Sequence, residues 1–594
     1  MPAVTANNGS FTLKAYPGDA KTLLAFNLAA QDARNLAGFT IHVKPAGKTP
    51  YFLFNTITFE HPENHNQVAG EAAKSSVNSP LHKFTWLHIP GTNHQGIAPF
   101  RGKYTYTVTP RYFENESLQP LDPSLSASVS IDVVPFAKGN IDLGFARGFV
   151  QSQAYVRHFG PKLSLRPSGD DVVFDTSQVA GKRADNETAA EANYTFAELY
   201  DWLGFTAREK IFAILNEVLK DKTLHVDVFA YDLNEPDAVR ILCQLAAQGR
   251  TRVILDNATL HHDLKKPKAE DKVEDLFNAK KKKGATLVRG KFKRFAHDKV
   301  FIVSRGGKAL KVLTGSTNFS TTGMYVNSNH VVIFKDAQIA KTYQEVFNES
   351  LALNVNGSKF AKDPLAAEAF SFSAAKTSQT EISFAPHPDE TATEILGDLA
   401  KRIGQEAKKT AGSVLFAVME IGKGTGPVFP ALKKLHSTQD VFSYGISDTT
   451  KGIQLYRPGT KSGVLVTGKP TKSKLPKPFS QVPTLGLGHQ IHHKFVVCGF
   501  TRPDAVVYCG SSNLAQGGET SNGDNLIAIH DQNVATAFAI EAIGLVDHFN
   551  FLDAQSSPTT ASKSKTFFLG VTDKWTKPYF DKNDLRMAER KLLA

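Results

Sequence analysis

The chain has 594 residues, 41% of them hydrophobic, and a formal net charge of +12 at pH 7. This length exceeds the ~100 to 200 residues of one domain, so we expect two or three folded domains in a soluble protein. No stretch approaches the ~18 consecutive apolar residues of a membrane-spanning helix, and the N-terminus lacks the pattern of a secretory signal, so we expect a cytoplasmic protein without a transmembrane segment.

The cysteines are Cys243, Cys498 and Cys509. Three scattered cysteines are too few for a disulfide scaffold or a zinc site. Cys498 and Cys509 are expected to face each other as a reduced pair on neighbouring core strands.

Residues 1–135 predict an all-β domain. Short alternating segments such as GSFTLKAY, GFTIHVKP and GKYTYTVTPRYF are separated by Pro, Gly, Asn and Asp. This spacing is typical of an immunoglobulin-like or fibronectin-like sandwich. His61, His65 and His94 stand in turn-like sequence and are expected to be surface histidines, so no chemistry is predicted for this domain.

Residues 141–360 predict an α/β domain. Apolar spacing predicts an amphipathic helix over Glu198–Leu219. The segments LHVDVFAYDL, EPDAVRILCQLAAQGR and TRVILDN then predict strand, helix and strand, which is a βαβ unit with parallel strands. The following segment, LVRGKFKRFA, predicts one more strand.

Residues 381–594 are predicted to repeat this plan as a second α/β domain. Residues 361–380, which are small and polar, are expected to bridge the two domains. Residues 459–488 are expected to form a long loop over the site. The predicted closing helix has the sequence NDLRMAERKLLA.

One motif occurs twice, in His297 to Asn329 and in His492 to Asp524. Each copy opens with His-x-Lys, continues as two apolar runs around a polar turn, and reaches Gly-Ser-x-Asn 18 residues after the histidine. The copies keep an offset of 195 residues throughout. The paired positions are His297 and His492, Lys299 and Lys494, Ser316 and Ser511, Asn318 and Asn513, and Asn329 and Asp524.

Paired His-x-Lys and Gly-Ser-x-Asn segments resemble the phospholipase D superfamily over residues 141–594. The resemblance implies two pseudo-symmetric α/β halves that meet at one site. Two departures from the family pattern stand out. Ser304 and Gly499 replace the Asp that usually follows five residues after the Lys, which is also absent from the tyrosyl-DNA phosphodiesterases. Asn329 stands where the family has a distal acidic residue, and only Asp524 retains it.

The resemblance also implies a metal-independent phosphodiesterase without a cofactor. One histidine attacks phosphorus to form a phosphohistidine, while the other protonates the leaving oxygen and then activates water. By resemblance, His297 is the nucleophile and His492 the acid. Lys299, Lys494, Asn318 and Asn513 are expected to donate to the phosphoryl oxygens. Ser316 and Ser511 are expected to hold the turns or the histidines.

Several alternatives stay open from the sequence. His489, His492 and His493 suggest a zinc cluster, but no suitably spaced carboxylates or thiolates accompany them. His261 and His262 follow a predicted strand and are either solvated loop histidines or residues that reach a substrate. Asp524 is expected either to orient His492, keeping it protonated, or to cap a turn. A catalytically silent binding protein that retains the fold is the alternative function.

Positive charge is concentrated before both motif copies. From Lys265 to Lys299 there are 13 basic and five acidic residues, and from Lys451 to Lys494 there are eight basic residues and no acidic one, so each run has a net charge of +8. The runs favour an anion-attracting mouth over merely solvated faces. The expected partner is an anionic phosphodiester, either a phospholipid with peripheral membrane contact or a nucleic acid.

Overall fold

Contacts divide the chain into two units, one built from residues 2–135 and 568–594 and the other from residues 136–437 and 443–556. The computed structural model describes residues 2–147, 152–160, 164–183, 193–437, 441–449, 452–457, 464–467, 490–556 and 568–594. No helix among these residues is long and apolar enough to cross a membrane.

The first unit begins with two antiparallel sheets. One sheet has the order β1-β2-β3-β6, and the other has the order β5-β4-β7-β8 with β9 also paired to β7. The strands are β1 Val4–Asn8, β2 Phe11–Pro17, β3 Thr22–Asn27, β4 Leu36–Pro45, β5 Tyr51–Phe52, β6 Thr85–His88, β7 Gly102–Glu114, β8 Ser117–Leu118 and β9 Ala127–Val133.

Alternating side chains of both sheets form one core, which includes Phe26 and Phe39 with ring centroids 4.8 Å apart. An all-β N-terminal region was predicted, and its immunoglobulin-like or fibronectin-like topology stays a prediction. His61 is exposed, whereas His65 is buried and stacks on Phe59 at 3.9 Å. The expectation of a surface position was therefore wrong for His65.

The second unit begins with an eight-stranded sheet of order β10-β11-β20-β19-β18-β14-β15-β16. Its strands, with the separate β12, β13 and β17, are β10 Ala137–Lys138, β11 Ile141–Phe145, β12 Val179–Lys182, β13 Asn193–Thr195, β14 Leu224–Ala230, β15 Thr251–Asp256, β16 Thr286–Gly290, β17 Phe295–Ala296, β18 Val300–Arg305, β19 Lys308–Gly315 and β20 His330–Phe334. The helices in this part are α1 Gln153–Phe159, α2 Phe196–Lys220, α3 Pro236–Ala246, α4 Ala269–Lys280, α5 Thr321–Tyr325, α6 Ala337–Ala352 and α7 Gly357–Phe360.

The predicted βαβ unit is confirmed, because β14 and β15 are parallel neighbours joined through α3. The predicted strand over LVRGKFKRFA is broken into β16 and β17. β17 leaves the first sheet and pairs in parallel with a later strand, Phe295 opposite Asn522. The segment directly before His297 therefore bridges the two sheets of this unit.

The second sheet has the order β21-β22-β29-β28-β27-β23-β24-β25-β26, with β17 paired to β29. Its strands are β21 Phe370–Ala374, β22 Thr377–Ala385, β23 Ser413–Val418, β24 Phe442–Thr449, β25 Gly452–Tyr456, β26 Val464–Thr467, β27 Lys494–Cys498, β28 Val506–Gly510 and β29 Asn522–Ile529. The helices are α8 Asp389–Glu406, α9 Val428–His436, α10 Gln516–Glu519 and α11 Gln532–Ser556.

Two predictions concern the segments 361–380 and 459–488 of this second sheet. The segment 361–380 was expected to bridge the two halves, and its end forms the β21–β22 hairpin, where Phe370 lies opposite Ile382. The alternating Phe370 and Phe372 allow a strand despite the small polar residues around them. Most of the loop predicted over 459–488 lies outside the described residues, and its described part forms β26.

The end of the chain packs in the first unit, although it was predicted to belong to the second α/β half. Helices α12 Lys577–Phe580 and α13 Leu585–Leu593 follow residue 568. Tyr579 is part of the sheet core, with its ring 4.9 Å from that of Phe84. The hydroxyl of Tyr16 donates to the carbonyl oxygen of Leu593 at 2.6 Å. An amphipathic helix does not specify in sequence which apolar surface it covers, which explains the wrong assignment.

Candidate active site

Both Gly-Ser turns of the repeated motif follow a strand at a position that requires glycine. Gly315 and Gly510 have φ values of 142° and 132°. A Cβ at either position would lie 2.4 Å from a carbonyl oxygen, that of His330 or of Asn525. These turns close against the strands β20 and β29, and the two glycines thus place Ser316 and Ser511 at the centre of the unit.

Each motif histidine is hydrogen-bonded by the other copy of the motif. Nδ1 of His297 lies 2.6 Å from Oδ1 of Asp524. Nδ1 of His492 lies 2.8 Å from Oδ1 of Asn329. The two motif copies therefore complete each other, and neither histidine is oriented by its own copy alone.

The next residue of each copy repeats this exchange. Asp298, between the first His and Lys, accepts a hydrogen bond from Nδ2 of Asn525 at 2.6 Å. Its counterpart His493 lies with Nδ1 3.1 Å from Nδ1 of His330, and the two rings are nearly parallel. All four side chains are buried. Two pairs of exchanged contacts, at neighbouring positions, fix the motif copies against each other.

This arrangement corrects the expectation for Asp524. The sequence placed it next to His492 or at a turn, and suggested that it keeps His492 protonated, but its carboxylate contacts His297. Its second oxygen accepts from Nδ2 of Asn522 at 3.0 Å. The correction arises because the segments that open β20 and β29 cross to the opposite histidine.

The tautomers of both histidines follow from their partners. The Asp524 carboxylate only accepts hydrogen bonds, so Nδ1 of His297 carries the proton. Nδ2 of Asn329 donates to the carbonyl oxygen of Gly323 at 2.7 Å, which turns its Oδ1 toward His492. His492 therefore also carries its proton on Nδ1. This leaves Nε2 of His297 for chemistry, whereas Nε2 of His492 lies 3.3 Å from Nζ of Lys494.

The electrostatics favour a neutral His297 beside an ionised Asp524. Burial lowers the pKa of His297, and the charge of Asp524 offsets this only in part. For Asp524 burial acts in the opposite direction, but the contact with His297 and the charge of Lys299 hold its pKa below the usual value. A neutral imidazole that donates from Nδ1 to a carboxylate has a nucleophilic lone pair on Nε2.

Both motif lysines are buried at the same centre. Nζ of Lys299 donates to the carbonyl oxygen of His297 and lies 5.0 Å from the ring centroid of Tyr231. Nζ of Lys494 donates to the carbonyl oxygen of His492 at 2.9 Å. Burial lowers the pKa of Lys299 to about 8. Burial and then the charge of Lys299 lower the pKa of Lys494 well below its usual value.

The serine and asparagine positions have different environments in the two copies. Ser316 donates to Oδ1 of Asn329 at 2.8 Å, and Ser511 accepts from the backbone N–H of Asn525 at 3.0 Å. The serines thus hold the turns in both copies. Asn318 donates from Nδ2 to Asp232 at 2.7 Å. Neither Oδ1 of Asn318 nor Oδ1 of Asn513 has a hydrogen-bond partner within the described residues.

Sequence reasoning missed Asp232 and Asp256, which follow or end the parallel strands β14 and β15. Asp256 accepts the backbone N–H of Ala296 at 2.6 Å and so anchors the segment before His297. His261, which the sequence left as either a solvated loop histidine or a residue that reaches the substrate, links Asp232 to Asp256. Polar residues at the carboxyl ends of adjacent parallel strands were a usable signal, because these ends meet at one edge of a sheet.

The zinc alternative has no support within the described chain, where no group of three or more His, Cys, Asp or Glu side chains is placed to hold a metal ion. His493 contacts His330 and lies 3.6 Å from Glu541, while His489 is outside the described residues. Lys280 to Lys283 of the first basic run are exposed. Most of the second basic run is outside the described residues.

Comparison with known proteins identifies one domain. Residues 215–351 match the family described as "Cardiolipin synthase, PLD-like domain". This range includes the first motif copy, so this part of the chain is similar to a phospholipase D-like domain. The chain is also 29% identical over 115 residues to a phospholipase D of Rickettsia bellii (strain RML369-C). That match covers 19% of this chain and only 50% of the relative's length.

Similar solved structures include a phospholipase D family member, Nuc from Salmonella typhimurium, at 19% identity and a TM-score of 0.19, covering 23% of this chain and 84% of that one. Polyphosphate kinase from Porphyromonas gingivalis is 12% identical with a TM-score of 0.36, covering 57% of this chain and 44% of that one. TM-scores this low do not by themselves establish a shared architecture.

Proposed function

We propose that this protein is a phosphodiesterase of the phospholipase D superfamily that works through a phosphohistidine. The observation that carries the proposal is the exchange of hydrogen bonds between motif copies, His297 with Asp524 and His492 with Asn329. Two histidines oriented in one buried centre, each by the opposite copy, suit a reaction in which both act on one phosphorus atom.

The proposal includes two pseudo-symmetric halves. Six consecutive strands of the two sheets correspond in order. In the first sheet they are β11, β20, β19, β18, β14 and β15, and in the second they are β22, β29, β28, β27, β23 and β24. Exchanged contacts at a constant offset of 195 residues support this reading, because Asp524 corresponds to Asn329 and Asn525 to His330.

In the first step, Nε2 of His297 attacks phosphorus with its lone pair and forms a P–N bond. The bond from phosphorus to the leaving oxygen breaks, and the electron pair goes to that oxygen. Nε2 of the protonated His492 donates its proton there, so an alcohol leaves. The phosphorylated His297 ring keeps its Nδ1 proton and is cationic.

In the second step, the now neutral His492 takes a proton from water through Nε2 as the water oxygen attacks phosphorus. A P–O bond forms and the P–N bond breaks, with its electron pair returning to Nε2 of His297. A phosphomonoester is released, and both histidines regain their starting protonation states. The net reaction is hydrolysis of one phosphodiester bond.

The different partners of the two histidines assign their roles. The negative charge of Asp524 stabilises the cationic phosphorylated ring of His297, so the nucleophile is on that side. The neutral amide of Asn329 accepts from His492 without stabilising its charge to the same extent, so His492 gives up its proton more readily. This agrees with the roles that the family resemblance implies.

Lysine and asparagine side chains of both motif copies stabilise the negative charge on the phosphoryl oxygens. Lys299 and Lys494 are buried beside the two histidines, and buried cations interact strongly with an anion because little water screens them. The amides of Asn318 and Asn513 add donors. We therefore propose catalysis that requires neither metal nor cofactor.

The substrate is an anionic phosphodiester, either a phospholipid or a nucleic acid. The exposed Lys280 to Lys283 suit both a membrane surface and a nucleic-acid backbone. We also propose a cytoplasmic location, with peripheral membrane contact if the substrate is a lipid. A catalytically silent binding protein is the alternative, and six motif groups that suit the reaction argue against it.

A substrate panel with a chelator present tests the proposal. The wild-type protein should hydrolyse at least one of phosphatidylcholine vesicles, single-stranded DNA and a chromogenic phosphodiester in EDTA. The variants His297→Ala and His492→Ala should be inactive, whereas His61→Ala, at an exposed position of the first unit, should match the wild type. Activity that EDTA removes and zinc or magnesium restores would contradict the mechanism, and ligand binding without turnover would favour the silent protein.

A further inference from the structure

We propose that Asp232, His261 and Asp256 form a positioning chain that holds the amide of Asn318 toward the phosphoryl group. This inference rests on the proposed phosphodiesterase function and extends it to residues outside both motif copies. Asp232 would act through Asn318, and His261 and Asp256 would act through Asp232.

The chain is continuous at hydrogen-bond distance. Oδ2 of Asp256 lies 2.9 Å from Nδ1 of His261, and Nε2 of the same ring lies 2.5 Å from Oδ1 of Asp232. Oδ2 of Asp232 then accepts from Nδ2 of Asn318 at 2.7 Å. Asp256 is completely buried and His261 is 6% exposed, while the Asp232 side chain is 24% exposed. The chain thus runs from the interior to an accessible wall of the site.

The carboxylate of Asp232 decides which way the Asn318 amide points. A carboxylate only accepts hydrogen bonds, so it must face the NH₂ group of the amide rather than its oxygen. One N–H is directed to Asp232 and the second remains for a phosphoryl oxygen. Without Asp232, the amide can turn its oxygen toward the anionic substrate, which would repel it.

His261 compensates the negative charge of the Asp232 carboxylate beside the site for the anionic phosphoryl group. Because both ring nitrogens face carboxylates, both carry protons and the ring is positively charged. Although burial opposes it, the hydrogen bonds that the ring donates to Asp232 and Asp256 raise the pKa of His261 to about 9. The positive charge offsets that of Asp232, which otherwise would repel a phosphodiester.

Other groups around the ring are consistent with this charge. Tyr231 stands edge-on between the rings of His261 and His297, with centroids 4.4 Å and 4.7 Å away. Glu270 also raises the pKa of His261 and accepts from Nδ2 of Asn234 at 3.0 Å. Arg289 donates to the carbonyl oxygen of His261 at 2.7 Å, and Lys299 lies over the other ring of the cluster, that of Tyr231.

The second motif copy lacks a matching carboxylate contact in the described structure. Glu420 follows β23 as Asp232 follows β14, but it forms an ion pair with Lys423 at 2.6 Å. Oδ1 of Asn513 has no hydrogen-bond partner among the described residues. This difference supplies a matched control, since Glu420→Gln changes a similar charge without touching Asn318. A second control is His262→Gln, because His262 bonds to Asp271 instead.

The first test separates positioning from simple charge by measuring kcat and KM on a chromogenic phosphodiester. Asp232→Asn removes a negative charge near an anion site, so a purely electrostatic role predicts a lower KM and an unchanged or higher kcat. A positioning role predicts that kcat falls by about 10- to 100-fold, the usual cost of losing a supporting contact in a site. His261→Gln should raise KM, and both control variants should stay within about twofold of the wild type.

A double-mutant cycle then asks whether Asp232 acts through Asn318. If it does, Asp232→Asn should cost little more once Asn318→Ala is present, so the double variant should resemble Asn318→Ala alone. Losses that multiply to within about twofold would overturn the proposal, as would a kcat for Asp232→Asn equal to that of the wild type. Melting temperatures of all variants show whether any loss reflects unfolding.

A binding experiment keeps this inference distinct from the proposed function. If the wild-type protein hydrolyses no phosphodiester, the function fails, and the same cycle is measured by calorimetry with inorganic phosphate. Coupled effects of Asp232→Asn and Asn318→Ala on the phosphate Kd would support the positioning chain. Additive effects on that Kd would overturn it.

Discussion

The carboxylate of Asp524 lies 2.6 Å from the imidazole of His297, a residue 227 positions earlier in the chain and in the other motif copy. This contact joins the two copies at the atom that sets the tautomer of the proposed nucleophile. Asn329 holds the corresponding place beside His492 with a neutral amide. The difference between a carboxylate and an amide is therefore the chemical asymmetry of the centre.

Asp524→Asn should lower kcat by about 10²- to 10⁴-fold, because it removes the charge that stabilises the phosphorylated ring and allows the wrong tautomer. Steady-state kinetics on a chromogenic phosphodiester measures the loss. Asn522→Ala, which removes the hydrogen bonds to Asp524 and Arg294 but no charge, should cost much less. Equal losses in the two variants would show that the Asp524 charge has no special role.

The pH dependence of kcat/KM should reflect the buried groups of the free protein. Burial lowers the pKa of His297, so the acid limb should lie below the usual histidine value of about 6.5. Lys299, with a pKa lowered to about 8, loses its charge above that pH and kcat/KM should fall. Lys299→Arg should move the alkaline limb upward, and an unmoved limb would exclude Lys299 as its source.

The stability of the protein should depend on pH through Asp298. Burial, with the nearby charge of Asp524, raises the pKa of Asp298 to about 7. A raised folded-state pKa gives stability that is complete below the unfolded value of 3.8 and is lost as pH rises through about 7. The melting temperature of Asp298→Asn should therefore rise relative to that of the wild type as the pH increases from 5 to 8. Asp275→Asn, at an exposed position, should show no such trend, and a constant difference for Asp298→Asn would refute the prediction.

The C-terminal segment should stabilise the first unit. Tyr579→Ala removes a ring that is 9% exposed and packs on Phe84 and Trp575, so we expect a loss of about 3 kcal/mol in the free energy of unfolding. Urea denaturation followed by tryptophan fluorescence measures it, with the exposed Lys577→Ala as control. Equal stability of the two variants would mean that the segment packs elsewhere.

Local pattern predicted much of this molecule. The periodicity of Glu198–Leu219 anticipated helix α2 Phe196–Lys220, and the βαβ unit appeared with its parallel strands. The matched spacing predicted six motif groups, and the structure brings the two motif copies together in one unit, while the catalytic roles of these groups stay predictions. These features are local or repeated, so the sequence encodes them directly.

Contacts between residues far apart in the sequence were not predictable in the same way. Nothing in the spacing showed that Asp524 crosses to His297, because an offset relates equivalent positions and not contacting ones. Asp232 follows β14 and Asp256, 24 residues later, ends β15, so their link through His261 depends on the sheet order. The position of α13 depends on an apolar surface formed more than 400 residues earlier.

Trapping the covalent intermediate tests the central claim most directly. His492→Ala removes the acid and base, so a substrate with a good leaving group should still phosphorylate the protein, and the adduct should persist for want of a base. Mass spectrometry of the quenched variant should place on His297 one phosphoryl group that still carries the second ester substituent of the substrate. Phosphorylation of His492 in the His297→Ala protein, or full turnover in either variant, would contradict a single centre with His297 as its nucleophile.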